Sequence, residues 1–437
     1  MSRPLSLALV AALLAGVTTA SATDPPQAAE PQRSQVERLE QIVERLSTEL
    51  AAVKAELEAL RAQQLEAERL AESERLRQAA AQELAPSDTV DTATTFTSGA
   101  RMQPQLNPEL SATGDIWLVG DGREEAQLRG VELDLQSDLD PYSRMHVVVG
   151  FHGGSYGPLL GSPGEEHAHE HGQAEVEEAY VTWLHLPGSL TLTLGRKRQQ
   201  FGVLNRWHAH ALDQLDLPWA LTESFGEEGL SGTGISLDWL MPRLWADANE
   251  LTVEITNGDN ETAFAGEDWD RPTALARLKN YWDLSQDSYL EIGLDAVRGA
   301  ADPEGDLTNE FYALDATFNW NPMSAALYHD VTVRGMALLS RRELTPGNVR
   351  EAWSGYLYGQ GKLSRRWIAG ARFDHIEDQF TPGHHAWGIS PYLTYWQSEF
   401  VRLRGQLSYR DDNLNGVDRA FALQVTFSAG PHKHESY

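Results

Sequence analysis

The chain is 437 residues long and carries 64 Asp and Glu against 35 Lys and Arg, a formal net charge of −29. It has no cysteine, which excludes a disulfide framework, a thiolate metal site and a lipidated N-terminal cysteine. So acidic a balance argues against nucleic acid as a partner and fits either a solvated surface or a cation-attracting channel.

The first residues read as an export signal. Arg3 gives a positive start, Leu5 to Val17 is an apolar run broken only by Ser6 and Gly16, and Ala20-Ser21-Ala22 offers a small-x-small cleavage site. That is the charge, length and ending of a secretory signal peptide over residues 1–22, too short to span a bilayer comfortably. The competing reading is a buried helix. No long apolar segment follows Ala22, so no transmembrane helix is expected after the signal.

Residues 23–33 (TDPPQAAEPQR) are Pro-rich and polar, hence a linker. Val36, Leu39, Val43, Leu46, Leu50, Val53, Leu57 and Leu60 then recur at spacings of three and four, a and d positions of about four heptads. The seam weakens after Leu60, and Ala85-Pro86-Ser87-Asp88 stops the helix. A two-in-seven seam is too narrow for a globular core, so 34–84 is expected to be a periplasmic α-helical coiled coil that self-associates. Val36 and Val43 at a with Leu39, Leu46 and Leu60 at d lean towards a dimer, and a trimer stays open if an attached domain imposes its own symmetry. A lone solvated helix is the alternative. Residues 85–113 read as a second linker.

From about Gly114 to Ser428 the period becomes two. Phe421, Leu423, Val425 and Phe427 alternate with Ala422, Gln424, Thr426 and Ser428, and 289–296 and 401–409 behave likewise. The connections alternate in length. Seven short ones fall near Asp138–Ser143, Pro187-Gly188, Pro242–Asn249, Leu284–Asp287, Asn321-Pro322, Leu363–Arg365 and Gln397–Glu399. Eight longer ones fall near 120–125, 153–173, 202–230, 259–271, 299–308, 340–349, 376–385 and 411–417. The pattern predicts an all-β fold over 114–437, a transmembrane antiparallel barrel of about sixteen strands with both ends on the short-turn side. A soluble sandwich would show the same alternation. Charge on the polar faces, aromatics near strand ends (Trp183, Trp320, Trp353, Trp367, Tyr395, Trp396) and a tract of more than 300 residues favour the barrel.

An open barrel of that size encloses water, so its chemistry lies in whatever narrows the lumen. The loop 202–230 contains Leu204, Trp207, Leu212, Leu215, Trp219, Leu221 and Phe225. So apolar a loop must pack on something, and folding into the barrel as a constriction is the economical answer; an external cap or a subunit contact is the other. Arg196-Lys197-Arg198 stands just before it, and the loop offers Asn205, Arg206, Asp213, Asp216, Glu223, Glu227 and Glu228. Opposed basic and acidic clusters there would select by charge. His167, His169 and His171 alternate in the second long loop, and His208 and His210 repeat that spacing in the third. Alternating imidazoles with Glu nearby suit Zn²⁺ or another divalent metal as cargo, though a merely polar loop has the same composition. His384-His385, His432 and His434 are further local pairs. There is no G-x-S-x-G, H-E-x-x-H or P-loop, so no catalytic set and no required cofactor are read, and an enzyme is not the expectation.

The stretch Phe201-Gly202-Val203-Leu204-Asn205-Arg206-Trp207-His208-Ala209-His210, with Phe225-Gly226-Glu227-Glu228-Gly229-Leu230 and the ending Gly430-Pro431-His432-Lys433-His434, carries a resemblance. It resembles outer-membrane proteins described as siderophore porins or zinc-regulated outer-membrane proteins, which join a coiled coil to a barrel. The resemblance implies a passive or semi-selective channel for a metal ion or metal chelate in the bacterial outer membrane. It marks Asn205, His208, His210, Glu227, Glu228 and Gly229 as a region without giving each a role. Sucrose-type sugar porins also carry a coiled coil before a barrel and are the second channel reading. A structural barrel, tethered to peptidoglycan or a periplasmic partner by its coiled coil, is the reading from another class. Outer-membrane lipid is the surrounding partner in all three.

Overall fold

The computed structural model describes residues 108–120, 124–152, 159–160, 174–260, 262–266 and 269–430. The residues expected to form a signal peptide, the expected coiled coil 34–84, and His167, His169, His171, His432 and His434 lie outside the described residues.

Sixteen long strands form one closed antiparallel barrel. In chain order they begin with β1 (Glu109–Gly120), β2 (Glu124–Asp140), β3 (Ser143–His152), β4 (Ala174–Leu186) and β5 (Leu190–Arg198). Then come β6 (Ser231–Met241) and β7 (Ala248–Thr256), followed by a two-residue ribbon of β8 (Asp259–Asn260) and β9 (Phe264–Ala265) that stands apart from the wall. The wall resumes with β10 (Thr273–Ser285), β11 (Ser288–Ala300), β12 (Thr308–Trp320), β13 (Val331–Thr345) and β14 (Asn348–Lys362). It ends with β15 (Trp367–Glu377), β16 (His385–Trp396), β17 (Val401–Asp412) and β18 (Gly416–Ala429). Every wall strand pairs with its neighbours in the chain, and β1 closes on β18 from Ala112↔Ala429 to Gly120↔Phe421. Closure leaves no edge of unpaired backbone groups. Wall strands of 9 to 17 residues are long enough to cross a hydrocarbon layer at a tilt, which takes about 9–11.

The two faces are the reverse of a soluble sheet. Outward positions carry exposed Leu110, Ile116, Leu118, Leu133, Ile235, Leu237, Leu294, Leu314, Val333, Leu357, Ile389, Leu393 and Leu423. Inward positions carry buried Asp115, Glu132, Thr252, Glu254, Arg277, Asp315, Arg334, Arg372, Arg404, Gln406 and Gln424. A soluble monomer rarely exposes a contiguous apolar patch beyond roughly 300–600 Å², whereas here the apolar face runs round the barrel. A hydrocarbon solvent removes that cost, and the aromatic ends suit its two interfaces. Trp367 meets Tyr395 at a centroid distance of 4.7 Å at the short-turn end, and Trp387 meets Tyr409 at 5.5 Å towards the other.

Several connections differ from the sequence expectation. The loop expected at 120–125 shrinks to the residues between Gly120 and Glu124, and that expected at 340–349 becomes a tight turn between Thr345 and Asn348. The strands there continue past the apolar band, and half-buried Arg341 pairs with half-buried Glu310 at 2.7 Å and with exposed Glu351 at 3.1 Å. Both faces of a strand meet water at that height, so apolar alternation stops while backbone pairing does not. Conversely, the turn expected at Asn321-Pro322 extends over 321–330 as tight helical turns, with Tyr328 N donating to Ala325 O. β1 begins at Glu109, ahead of the alternation that starts near Gly114.

Candidate functional site: a loop folded across the lumen

The segment between β5 and β6 enters the barrel. It forms 3-10 turns at Leu204–Arg206 and Ala209–Ala211 and one short helix, α1 (Trp219–Phe225). Leu204, Trp207, Leu212, Leu215, Trp219, Leu221 and Phe225, the residues that demanded a packing partner, are all buried.

Three sectors of the wall receive the loop, each by different chemistry. The first is an apolar seat on β10–β14. Leu275, Val297, Phe311, Met336, Leu338, Tyr356 and Tyr358 point inward and form one cluster with Phe201, Leu204, Leu212, Leu217, Leu221 and Phe225. Phe225 sits 5.0 Å from Phe201 and 4.9 Å from Phe311 between ring centroids. Aromatic burial of this kind supplies most of the adhesion.

The second sector is a row of arginines that grips loop backbone. Arg404 donates to Leu212 O at 2.7 Å and to Gln214 O, and Arg402 to Leu212 O at 3.3 Å and to His210 O. Arg372 reaches Asp216 O at 2.7 Å and Asp216 Oδ1 at 3.1 Å, and Arg129 reaches Leu215 O at 2.8 Å from the other side. Arg129 also stacks on Trp117 at 3.9 Å. Asp216 accepts from Gln406 Nε2 at 2.9 Å and Leu159 N at 2.9 Å, and Asp213 accepts from the Tyr358 hydroxyl at 2.7 Å. A guanidinium is always charged and more weakly hydrated than an ammonium, which suits it to buried contacts with carbonyls.

The loop's neck is stapled by Asn205. Its Nδ2 donates to Gln199 O and Leu230 O, both at 2.8 Å, and its Oδ1 accepts from Leu230 N at 2.7 Å. This explains Gly229, whose φ is +73° and where a Cβ would stand 2.6 Å from Asn205 Oδ1. Asn205 therefore closes the loop and does not line a passage. Gly202, also left-handed, donates its N–H to Asp295 Oδ1 at 3.1 Å.

The third sector, on β2–β4, is acidic and histidine-rich. His208 Nδ1 lies 3.0 Å from Glu177 Oε2 and 3.2 Å from Glu132 Oε2, and His208 Nε2 lies 3.4 Å from Glu178 Oε2. His210 Nδ1 lies 3.0 Å from the same Glu132 oxygen. His152 Nε2 is 3.4 Å from Glu177 Oε1. Burial and Arg198 oppose the imidazolium form of His208, but the Glu132 and Glu177 carboxylates together outweigh them and the His208 pKa stands well above its ordinary value. Burial pushes the Glu228 carboxyl up, and Glu175 adds to the effect. A narrow recess opens here, lined by Arg129, Glu132, His152, Glu177, Arg198, Ala209, Leu217, Glu227 and Glu228.

Consecutive Glu177 and Glu178 both face inward because of a β-bulge. Val148 pairs with Glu178 and Val149 with Val176, so Glu177 is the extra residue. A bulge re-aims a side chain that strict alternation would send outward.

The site residues expected from sequence separate accordingly. His208, His210, Glu227 and Glu228 reach the acidic sector or its recess, while Asp213 and Asp216 serve the grip. Arg206 closes the first 3-10 turn, half-buried. The basic cluster expected to oppose the acids does not do so. Arg196 pairs with Glu175 at 3.7 Å, Lys197 with Glu254 at 2.6 Å and Arg198 with Glu177 at 3.4 Å. They lie on the acids' own side and partly neutralise them. The opposing positive charge comes from Arg372, Arg402 and Arg404 on β15 and β17, which stand as single arginines or alternate along polar strand faces in the sequence. Glu132, Glu177, Glu178 and His152 were likewise missed, being ordinary members of polar strand faces or strand ends.

The described part of the chain is thus a closed sixteen-stranded barrel, apolar outside and polar within, narrowed by an inward-folded third long loop. No known protein family and no curated protein matches the sequence. Solved structures to which the chain is similar include the outer membrane channel DcaP of Acinetobacter baumannii, at 11% identity and TM-score 0.47, covering 76% of this chain and 100% of that one. They also include OprB of Pseudomonas putida, at 9% identity and TM-score 0.46, over 74% of this chain and 94% of that one. A third is the trimer form of OmpT, an outer membrane protein of Vibrio cholerae, at 8% identity and TM-score 0.49, over 74% and 99%. The class of fold follows from this chain's own strand pairing.

Proposed function

We propose that the protein is a passive channel of the bacterial outer membrane, narrowed by the loop 202–230 and suited to a small metal cation, with Zn²⁺ as the leading cargo. One observation carries the reading: a loop crosses the lumen of an outwardly apolar, closed barrel and leaves an acidic, histidine-lined recess beside it. The opposed charge of the acidic sector and the arginine row gives a transverse field that favours cations along the acidic side. The enclosed part of the recess has room for little more than about one water. That suits a bare or nearly bare ion better than a bulky ferric chelate, so within the siderophore-porin and zinc-regulated resemblance the free ion is preferred. The heptad segment 34–84 belongs to the same proposal as a periplasmic device for self-association, as dimer or trimer, or for tethering.

The test is planar-bilayer conductance of the purified protein with ion selectivity. Conductance with a cation preference supports the channel. A barrel that never conducts favours the structural tether, and block by sugars with indifference to Zn²⁺ favours a sugar-type porin.

A further inference from the structure

The acidic sector holds metal-ligating side chains from four separate elements, and two sets of three have ligand atoms within 4.8 Å of one another: Glu132, Glu177 and His208, and His152, Glu175 and Glu228. We infer that the recess binds one late transition-metal ion of the Zn²⁺ class through His208, Glu132 and Glu177, with His152, Glu175 and Glu228 as an adjoining outer position from which the ion is passed. This deepens the channel reading and rests on it only for the direction of passage.

Three observations carry the inner position. Zn–N and Zn–O bonds of roughly 2.0–2.2 Å place neighbouring tetrahedral donors about 3.4 Å apart. His208 Nδ1 already lies 3.0 and 3.2 Å from its two carboxylate oxygens, so the ion needs only a small outward movement of donors to be seated. Next, the second nitrogen of His208 faces Glu178 Oε2 at 3.4 Å. A ligating histidine is commonly oriented by such a carboxylate on its far nitrogen, which fixes the tautomer and raises its basicity. Lastly, the donor set mixes nitrogen and oxygen. Mg²⁺ and Ca²⁺ want oxygen alone, whereas imidazole with carboxylate suits Zn²⁺, Cu²⁺ or Ni²⁺.

Three protein ligands leave a tetrahedral ion one open position, the arrangement of exchangeable metal sites as opposed to closed structural ones. The outer set supplies what would enter it. Glu175 lies two residues nearer the long-loop rim of β4 than Glu177, and His152 ends β3 at that rim. His152 Nε2 stands 3.4 Å from Glu177 Oε1, so the two positions share a border. The bulge at Glu177 is what makes this possible, because strict alternation would leave a single inward carboxylate at this height.

The test uses the full-length protein in detergent, in a background where His167, His169, His171, His432 and His434 are all replaced by Ala. Zn²⁺ is titrated in competition with a chromophoric chelator, with Mg²⁺ as the hard-cation control. One saturable site is expected, weakened at least tenfold by His208→Ala and by Glu177→Gln and undisturbed by excess Mg²⁺. Heat-modifiable gel mobility shows that each variant is folded. Should a variant fail that control, zinc-edge absorption on the background protein decides, with mixed nitrogen and oxygen donors at about 2.0–2.1 Å expected. Equal Zn²⁺ affinity in background and variants, no saturable site, or competition by Mg²⁺ at similar concentrations overturns the inference. The titration needs no membrane. Binding without conductance would therefore reject the channel and keep the site, and conductance without binding would do the reverse.

Discussion

The two charged sides of the lumen use similar residues to opposite ends. On β15 and β17, and from Arg129 on β2, guanidinium groups are spent on backbone carbonyls of the loop, at Leu212, Leu215 and Asp216. There the bonds of the guanidinium groups hold the loop in place. On β2–β4 the partners are side chains meeting side chains, Glu132, Glu177 and Glu178 against His208 and His210. Such contacts are exchangeable, because an imidazole or carboxylate that ion-pairs can also ligate. One side fixes the loop and the other leaves chemistry available. A charged residue in a lumen is therefore not a selectivity element by default; its partner decides.

Removing the loop is the largest test of that division. Replacing 207–226 with a short Gly-Ser link is expected to raise single-channel conductance several-fold, since Asn205 already holds the two ends of the segment together. Unchanged conductance would mean that the loop does not limit the passage.

The next effect belongs to the grip. Arg404→Leu takes its charged donor from the Gln214 carbonyl and leaves Leu212 O only the longer bond from Arg402 at 3.3 Å, each lost bond costing on the order of 1–3 kcal/mol. Faster proteolysis within 212–216 and a lowered Tm are expected, with Arg404→Lys intermediate because the shorter, more strongly hydrated ammonium keeps the charge but must be stripped of water to reach the same carbonyls. The acidic side should behave the other way. Glu177→Gln is expected to lower the cation-to-anion permeability ratio measured by reversal potential while moving Tm less than Arg404→Leu. If Glu177→Gln costs more stability and leaves selectivity alone, the division fails.

The smallest effect lies in the loop between β15 and β16. His384 contacts Asp378 at 2.7 Å and Asp412 at 3.0 Å. Burial opposes its charge, but the hydrogen bonds it donates to both carboxylates outweigh that and raise its pKa. Asp378 is lowered, because backbone donors at Thr381 and Phe380 together with His384 outweigh burial. A raised histidine stabilises fully below its unfolded value, about 6.5, and loses that as pH rises through its folded value. A lowered aspartate stabilises above about 3.9 and loses that as pH falls through its folded value. His384→Ala should thus cost about 0.2–1 kcal/mol near pH 5.5 and less at pH 9. Equal losses at both pH values, by thermal unfolding, would mean that the pair carries no charge-dependent stability.

Much of the architecture was legible in the residues themselves. Period-two alternation along Phe421 to Ser428, punctuated by alternating short and long connections, is enough to state sixteen strands, because each strand faces hydrocarbon on one side and a polar lumen on the other. The loop 202–230 declared its burial through its own leucines and aromatics. Connection lengths were misread where strands rise above the apolar band, as at Arg341 and Glu351, since alternation reports solvent contrast and not backbone pairing.

What only the tertiary structure decided is which inward residues meet. Arg372, Arg402 and Arg404 lie some 150 to 190 residues from the carbonyls they hold, and His208 meets Glu132 and Glu177 across three separate elements. A bulge one residue long turns Glu177 inward, and no periodicity announces it. Alternation assigns a side chain to a face, while closure of the barrel and descent of the loop assign it to a neighbour. The fold class was therefore written along the chain, and the site was created by bringing distant faces round a common interior.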